Sequence, residues 1–444
     1  MKKRILSLII CAVMGISMCA CSDIENNEND KTLSPDNSVT VTEDQNTPVV
    51  TDGNTASPDN QPTVTEDNKT ENNTSTKPKP DADWKYEFDS AFIEQNGIAH
   101  VWEQLDEDTK INLGEVMNAI NDVMLYCPLS IGVPKDQADS FLDLVINCSM
   151  FYTWRGTKFK VHADESGMVK GLTLDYRVDY EDDAVERAES LEKRLKEIVD
   201  KMPSGTDFEK IKYLHDELIL SCDYSDDAAS PFTAYGALVE GKATCQGYSD
   251  AMLLLLDRAG YEVAFATGEG KDTSVKHKWV YVKCSDGKWY VIDPTWDDPQ
   301  NITDVNYVGY DYLFISDEEL LKDHAKKYES SYYKTPVADS MDLNYHKVMG
   351  YYTNDADEAY DIIKKQAIEA VKDGRRYIYL RADDGDTINK IYKAVAGGSL
   401  GNNKLESILI EASKETKDKI KTAKWQKSIN EKTGTLVITI LDEE

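Results

Sequence analysis

The eighteen residues KHKWVYVKCSDGKWYVID, 276 to 293, constrain the fold more than any other stretch of the chain. Two alternating runs rich in β-branched and aromatic residues flank a Ser-Asp-Gly turn, the pattern of an antiparallel hairpin. Alternation places His277, Trp279 and Tyr281 on one face and Cys284 on the other. The loop length decides where Asp293 falls. A two-residue loop at Asp286-Gly287 pairs 284 with 289 and turns Asp293 to the wrong face, opposite Val280. A three-residue loop at Ser285-Asp286-Gly287 pairs 284 with 288, which sets Asp293 opposite Trp279, one diagonal step from His277. Three-residue loops ending in a left-handed glycine and a bulge are common. The expectation is therefore that loop, with Gly287 at positive φ and an imidazole and a carboxylate on one side of the sheet.

An imidazole fixed by a carboxylate is what a cysteine nucleophile requires. Upstream, residues 241 to 260 read GKATCQGYSDAMLLLLDRAG, with Met252, Leu255, Leu256 and Ala259 at helical spacing. Cys245 then lies in the first turn of a helix, where unpaired N–H groups and the positive end of the dipole favour thiolate over thiol. Each residue alone has a plain reading: a packed inert cysteine, a satisfied histidine, a strand-end aspartate. Jointly they form a constellation that chance rarely assembles. In DPTWDDP (293 to 299), Asp297 and Asp298 read as solvated acids of a turn, because no alternating oxygen-ligand spacing surrounds them. Beyond the leader, Cys127, Cys148, Cys222, Cys245 and Cys284 are odd in number and lack a CxxC pair, so neither a disulfide scaffold nor a zinc ribbon fits. No metal and no cofactor is implied.

The order Cys, His, Asp, carried by G-x-x-x-C-Q-G-Y, H-x-W and W-Y-x-x-D-P-T-W-D-D, resembles the transglutaminase-like superfamily. The separations suit it, 32 residues from Cys245 to His277 and 16 more to Asp293. IKYLHDELILSCDYSD and SPFTAYGALVEG upstream, and YLFISDEELLKDH downstream, extend the resemblance over about 206 to 325. It implies a papain-like core using Cys245 as nucleophile, His277 as general base and acid, and Asp293 as the orienting carboxylate, acting on amide bonds of peptide or protein through a thioester. Hydrolysis is expected over cross-linking. The Cys245 backbone N–H is an expected oxyanion donor. Tyr224, in the CDYSD motif, is a candidate second donor or cleft residue, and His215 and Tyr248 are expected to pack around the site. Related sequences often carry Asn where this chain has Val280, which alternation turns away from His277. The alternative is a catalytically silent transglutaminase-like module that binds extracellular protein or cell-wall polymer; retention of all three residues weighs against it.

The rest of the chain sets context. Lys2, Lys3 and Arg4 precede an apolar run from Ile5 to Ile16, and Ala20-Cys21 then resembles a bacterial lipobox. Residues 1–21 are thus expected to be a lipoprotein signal, with Cys21 lipidated and Cys19 as the other candidate. That places the chain at the outer face of a cytoplasmic membrane, or free in the medium if no lipid is added. Residues 22–83 are Asn, Thr, Asp, Pro-rich and acidic, with SPDNSVTVTED repeated as SPDNQPTVTED. Such a composition cannot offset ordering entropy, and a disordered tether of on the order of 45 Å r.m.s. is expected. A net charge of −31 over 444 residues argues against nucleic acid or anionic lipid as partners, leaving the lipid anchor as the membrane link. The expected fold is α+β: a helix-borne nucleophile packed on an antiparallel sheet (183–335), flanked by small α/β domains at 84–182 and 336–444.

Overall fold

The computed structural model describes residues 40–43, 63–66, 90–178, 181–273, 275–298, 307–326, 330–397, 404–416 and 425–441. The expected signal segment lies outside the described residues, as does most of the expected tether. Within the tether two strands are described, β1 (Thr40–Glu43) and β2 (Thr63–Glu66), one in each copy of the duplicated segment. They run parallel to each other and continue a sheet of order β1-β2-β4-β5-β3.

The N-terminal part holds helices α1 (Ala91–Gln95), α2 (Ala99–Trp102), α3 (Glu107–Asn121) and α4 (Ala138–Cys148) with strands β3 (Tyr126–Pro134), β4 (Arg155–Ala163) and β5 (Met168–Tyr176). The β4–β5 hairpin is the alternating pair expected around DESGM. Asp106 caps α3 by accepting from Thr109 N at 2.8 Å, which satisfies one of the orphan donors of the first turn.

The central part opens with α5 (Glu181–Val199) and α6 (Asp207–Ile219), the latter started by a Thr206/Glu209 capping box. A short parallel pair, β6 (Asp223–Tyr224) and β7 (Lys242–Ala243), with a π-turn at Gly236–Glu240 in the connection between them, leads into α7 (Cys245–Arg258). Then come β8 (Glu262–Gly270), β9 (Lys276–Lys283), β10 (Trp289–Ile292), β11 (Leu313–Ile315), α8 (Asp317–Leu320) and β12 (His324–Ala325). These strands form an antiparallel sheet of order β11-β10-β9-β8-β12. Every residue of α7 from Cys245 to Leu256 is buried, more than the single inward face its periodicity indicates, because α7 is flanked by α5, α6, β8 and β9 together. Gly247 is required there: a Cβ would lie 2.7 Å from Ala243 Cβ and 2.8 Å from Thr233 O.

The C-terminal part contains α9 (Tyr345–Val348), α10 (Ala356–Asp373), β13 (Tyr377–Arg381), α11 (Gly385–Ala396), α12 (Lys404–Thr416), β14 (Trp425–Asn430) and β15 (Thr435–Ile440). Its sheet, β13-β15-β14, has its own apolar cluster built on Ile363, Leu380, Ile388, Leu409 and Ile438. The N-terminal and central parts share one continuous core, from Phe92 and Trp154 through Leu195 to Leu253 and Phe314, which also takes in Tyr377, Tyr379 and Val437 of the C-terminal sheet. Arg258, in the last turn of α7, ties three segments: it donates to Gln95 O at 2.9 Å and Glu94 O at 3.2 Å, and pairs with Glu192 of α5 at 3.2 Å.

Candidate active site

The hairpin adopts the three-residue loop. Cys284 N donates to Lys288 O at 3.0 Å, Gly287 N donates to Cys284 O at 2.9 Å, and Gly287 has φ +79°. The ladder pairs Trp289 with Lys283 and Ile292 with Val280, which carries Asp293 to the position opposite Trp279, on the face of His277. A bulge sits beside this point. Val291 pairs with Ile315 and Ile292 with Leu313, so Phe314 is an extra residue on β11, at φ +58°. Asp293 N donates to Tyr312 O at 3.3 Å just beyond it.

The structure brings Cys245, His277 and Asp293 together. Cys245 is the first residue of α7, where the Thr244 hydroxyl donates to Pro231 O and caps no N–H of the turn. The Cys245 side chain is close enough to act on the His277 ring. His277 Nε2 lies 2.5 Å from Asp293 Oδ2, which leaves Nδ1 for the thiol. Burial alone disfavours the charged ring, yet the Asp293 charge and hydrogen bond and the Cys245 contact outweigh it, and His277 is raised to about 9. Burial likewise works to raise Asp293, but its two histidine partners hold it well below the usual carboxylate range. All three are enclosed, with Cys245 only 1% exposed.

A second histidine, unforeseen in the sequence, completes the cluster. His324 Nε2 lies 3.0 Å from the same Asp293 Oδ2, and its Nδ1 lies 2.6 Å from Asp323 Oδ1. Tyr312 donates its hydroxyl to Asp323 Oδ2 at 2.6 Å. Asp293 Oδ1 accepts from Thr295 N (2.9 Å) and Trp296 N (3.2 Å). The only advance signal was the DH at the end of YLFISDEELLKDH, which pattern reading left without a role.

His277, Asp293 and His324 put three ligand atoms within 4.8 Å of one another. Two ligands of one tetrahedral ion, each at about 2.0 Å, would stand about 3.3 Å apart. The observed 2.5 and 3.0 Å contacts fit protons on shared hydrogen bonds instead.

One expectation is corrected. Asp297 is not a solvated turn acid: it is fully buried, its Oδ2 3.1 Å from His215 Nε2 and its Oδ1 accepting from Tyr312 N at 2.9 Å, and Asp298 is half-buried, its Oδ2 3.5 Å from the Tyr248 hydroxyl. Burial pushes the Asp297 carboxyl up to about 6 against the pull of His215. Local composition suggested a surface turn; the partner that buries Asp297 arrives from α6, far away in sequence. His215 and Tyr248 are buried around the site as expected, Tyr248 donating to Cys222 O at 3.0 Å. Tyr224 pairs in register with Ala243 and stacks on Tyr248 at 6.3 Å. Val280 lies opposite Ile292 and is buried away from His277. A buried ion pair, Lys278 with Asp250 at 2.6 Å, ties β9 to α7, and the Ser249 hydroxyl donates to Lys278 O at 2.6 Å.

These elements define an α+β fold with a helix-borne thiol packed against an antiparallel sheet that carries its histidine and carboxylate partners. Residues 196–294 match the family model described as the transglutaminase-like superfamily. Three solved structures align with parts of the chain. A TGase is 16% identical, with 32% of this chain and 45% of that one covered and a TM-score of 0.23. A candidate cysteine protease from Cytophaga hutchinsonii is 13% identical, with 34% and 64% covered and a TM-score of 0.21. A candidate protease from Parabacteroides distasonis is 17% identical, with 30% and 29% covered and a TM-score of 0.17. The chain thus spans between 29% and 64% of the length of these proteins, and superpositions at such scores do not bear on the site. The search of curated proteins returns no match.

Proposed function

We propose that the chain is a cysteine-dependent acyl-transfer enzyme acting on amide bonds of peptide or protein, with water rather than a second amine as the final acceptor. The Cys245 sulfur attacks the carbonyl carbon, and the C–N bond breaks in the tetrahedral intermediate. His277 gives its proton to the departing amine. Water, losing a proton to His277, then cleaves the thioester and returns the thiol. Asp293 holds the ring so that Nε2–H faces the carboxylate and Nδ1 faces sulfur. The observation that supports this most is the His277 ring held by Asp293 through Nε2 at 2.5 Å, with the Cys245 side chain acting on the same ring. The order of n-region, apolar run and Cys21 supports a lipid anchor at the outer membrane face; loss of palmitate labelling in Cys21→Ser tests it.

The burial of Cys245 favours one other reading, a silent module whose cleft holds peptide or wall polymer without turnover. Iodoacetamide labelling of the folded protein across pH, mapped by mass, separates the two. An enzyme labels at Cys245 at pH 6, well below the ordinary thiol pKa of about 8.5, and loses this in His277→Ala. A cysteine that is inert, or that titrates ordinarily in both proteins, overturns the enzyme. Release of amine from a casein digest, against incorporation of a fluorescent amine, then decides between water and amine as acceptor.

A further inference from the structure

Asp293 Oδ2 is shared by two imidazoles, and His324 does more than fill the space beside it. Both His324 nitrogens face carboxylate oxygens at hydrogen-bond distance, Nε2 to Asp293 and Nδ1 to Asp323. Ionised carboxylates only accept, so both nitrogens carry protons and the ring is a cation. The ring is fixed from every side. Trp296 lies 4.0 Å away by ring centres, Trp279 5.5 Å and Tyr312 5.6 Å. Its backbone is pinned in β12 against Gly270 of β8, and Lys271 N donates to Asp323 O at 2.7 Å. The titratable groups in contact with it are Asp323 on its own segment, Asp293 at the end of β10 and His277 on β9, with the Tyr312 phenol, before β11, bonded to Asp323.

We propose that His324, held as an imidazolium between Asp323 and Asp293, is a positioning residue for Cys245, His277 and Asp293. It keeps the Asp293 carboxylate charged and aimed whether or not His277 has given up its proton. This rests on the reading of Cys245 and His277 as a working pair. A buried carboxylate facing one imidazole would be left uncompensated whenever that imidazole became neutral, at a cost that resists proton release. With His324 in place the carboxylate keeps a cation and all four of its acceptor positions stay filled. The same cation, its ring centre 5.4 Å from that of His277, repels the His277 proton and the charge state that holds it. At the effective dielectric of a protein interior this moves the midpoint of the pair by about one pH unit or more.

The test is the pH profile of Cys245 alkylation by iodoacetamide in the full chain, for wild type, His277→Ala and His324→Gln. Gln keeps one hydrogen-bond donor and removes the charge. The expected result is loss of low-pH labelling in His277→Ala and an upward shift of about one pH unit in His324→Gln. A His324→Gln profile that overlays wild type, with His277→Ala still defective, overturns the role of His324 and leaves the cysteine–histidine pair standing. No effect of His277→Ala removes the pair and this inference with it. If His324→Gln fails to fold, wild type labelled with 15N-histidine decides the matter, the His324 signals being assigned by their through-space contacts to the Trp296 ring, 4.0 Å away by ring centres. Two protonated nitrogens on the His324 ring at pH 7.5 uphold the inference; a single one overturns it.

Discussion

Breaking the Lys278–Asp250 ion pair should cost more from one side than from the other. The two side chains are 1% and 2% exposed, so water does not screen them, and the regime is that of a buried pair. Removing one partner from such a pair typically costs about 3–5 kcal/mol, because the survivor is an uncompensated charge. The survivors here differ. Asp250 without Lys278 still feels Arg155 and keeps a hydrogen bond from Gln246. The Lys278 ammonium without Asp250 keeps the Phe265 ring, its centre 4.5 Å away. Asp250→Asn is therefore expected to cost about 4 kcal/mol and Lys278→Met about 2, with the double variant closer to Lys278→Met than to the sum. Urea unfolding followed by tryptophan fluorescence measures this, since Trp279 is buried on the next residue of β9. Equal costs for the two single variants, or a double variant that costs their sum, would refute the reasoning, for the asymmetry and the coupling both come from charge left alone in the interior.

Three further outcomes follow from the geometry. His277 is raised from 6.5 to about 9 on folding, so its protonation stabilises the fold by about 3 kcal/mol below pH 6.5; that contribution falls as pH rises through 9, and the difference in unfolding free energy between wild type and His277→Gln should shrink over this window. Asp293→Asn presents two N–H donors where four donors already converge, so it should lower both stability, by about 2 kcal/mol, and the Cys245 alkylation rate; a fully active and stable variant would contradict the assigned bonds. Gly247→Ala should destabilise by about 1–3 kcal/mol by thermal melting, since the nearest obstacles include backbone oxygens that cannot rotate aside.

What the sequence reveals of this site depends on how local the information is. The hairpin register was readable because turn chemistry and alternation act within eighteen residues, and Gly287 marks the loop. The start of α7 at Cys245 was readable for the same reason. Strand β8 was not: EVAFATGEG is almost wholly buried and lacks the polar alternation that betrays a half-exposed strand. The place of His324 was hidden because its partners come from across the sheet, Asp293 being 31 residues away. Asp297 was misjudged on the same account, since composition near a proline suggests a surface turn while His215 waits on another helix. The bulge at Phe314 has no sequence mark either, as a phenylalanine rarely occupies a left-handed conformation.

The C-terminal sheet holds none of the three central residues, yet it is wired to them. Thr435 and Asn430 donate to the half-buried Asp311 carboxylate at 2.7 and 3.1 Å, and Arg381 donates to Asp311 O at 3.0 Å. The next residue is Tyr312, whose hydroxyl also receives Asn430 at 3.4 Å and passes its own proton toward Asp323. From the tail hairpin to the thiol the contacts run unbroken: Asn430, Tyr312, Asp323, His324, Asp293, His277, Cys245. The tail thus buttresses the 311–312 segment on which the Asp323 and His324 contacts rest. A nick or a wedge between β14 and the 311–312 segment is expected to register as a drift in the acidity of the cysteine–histidine pair before any loss of the fold.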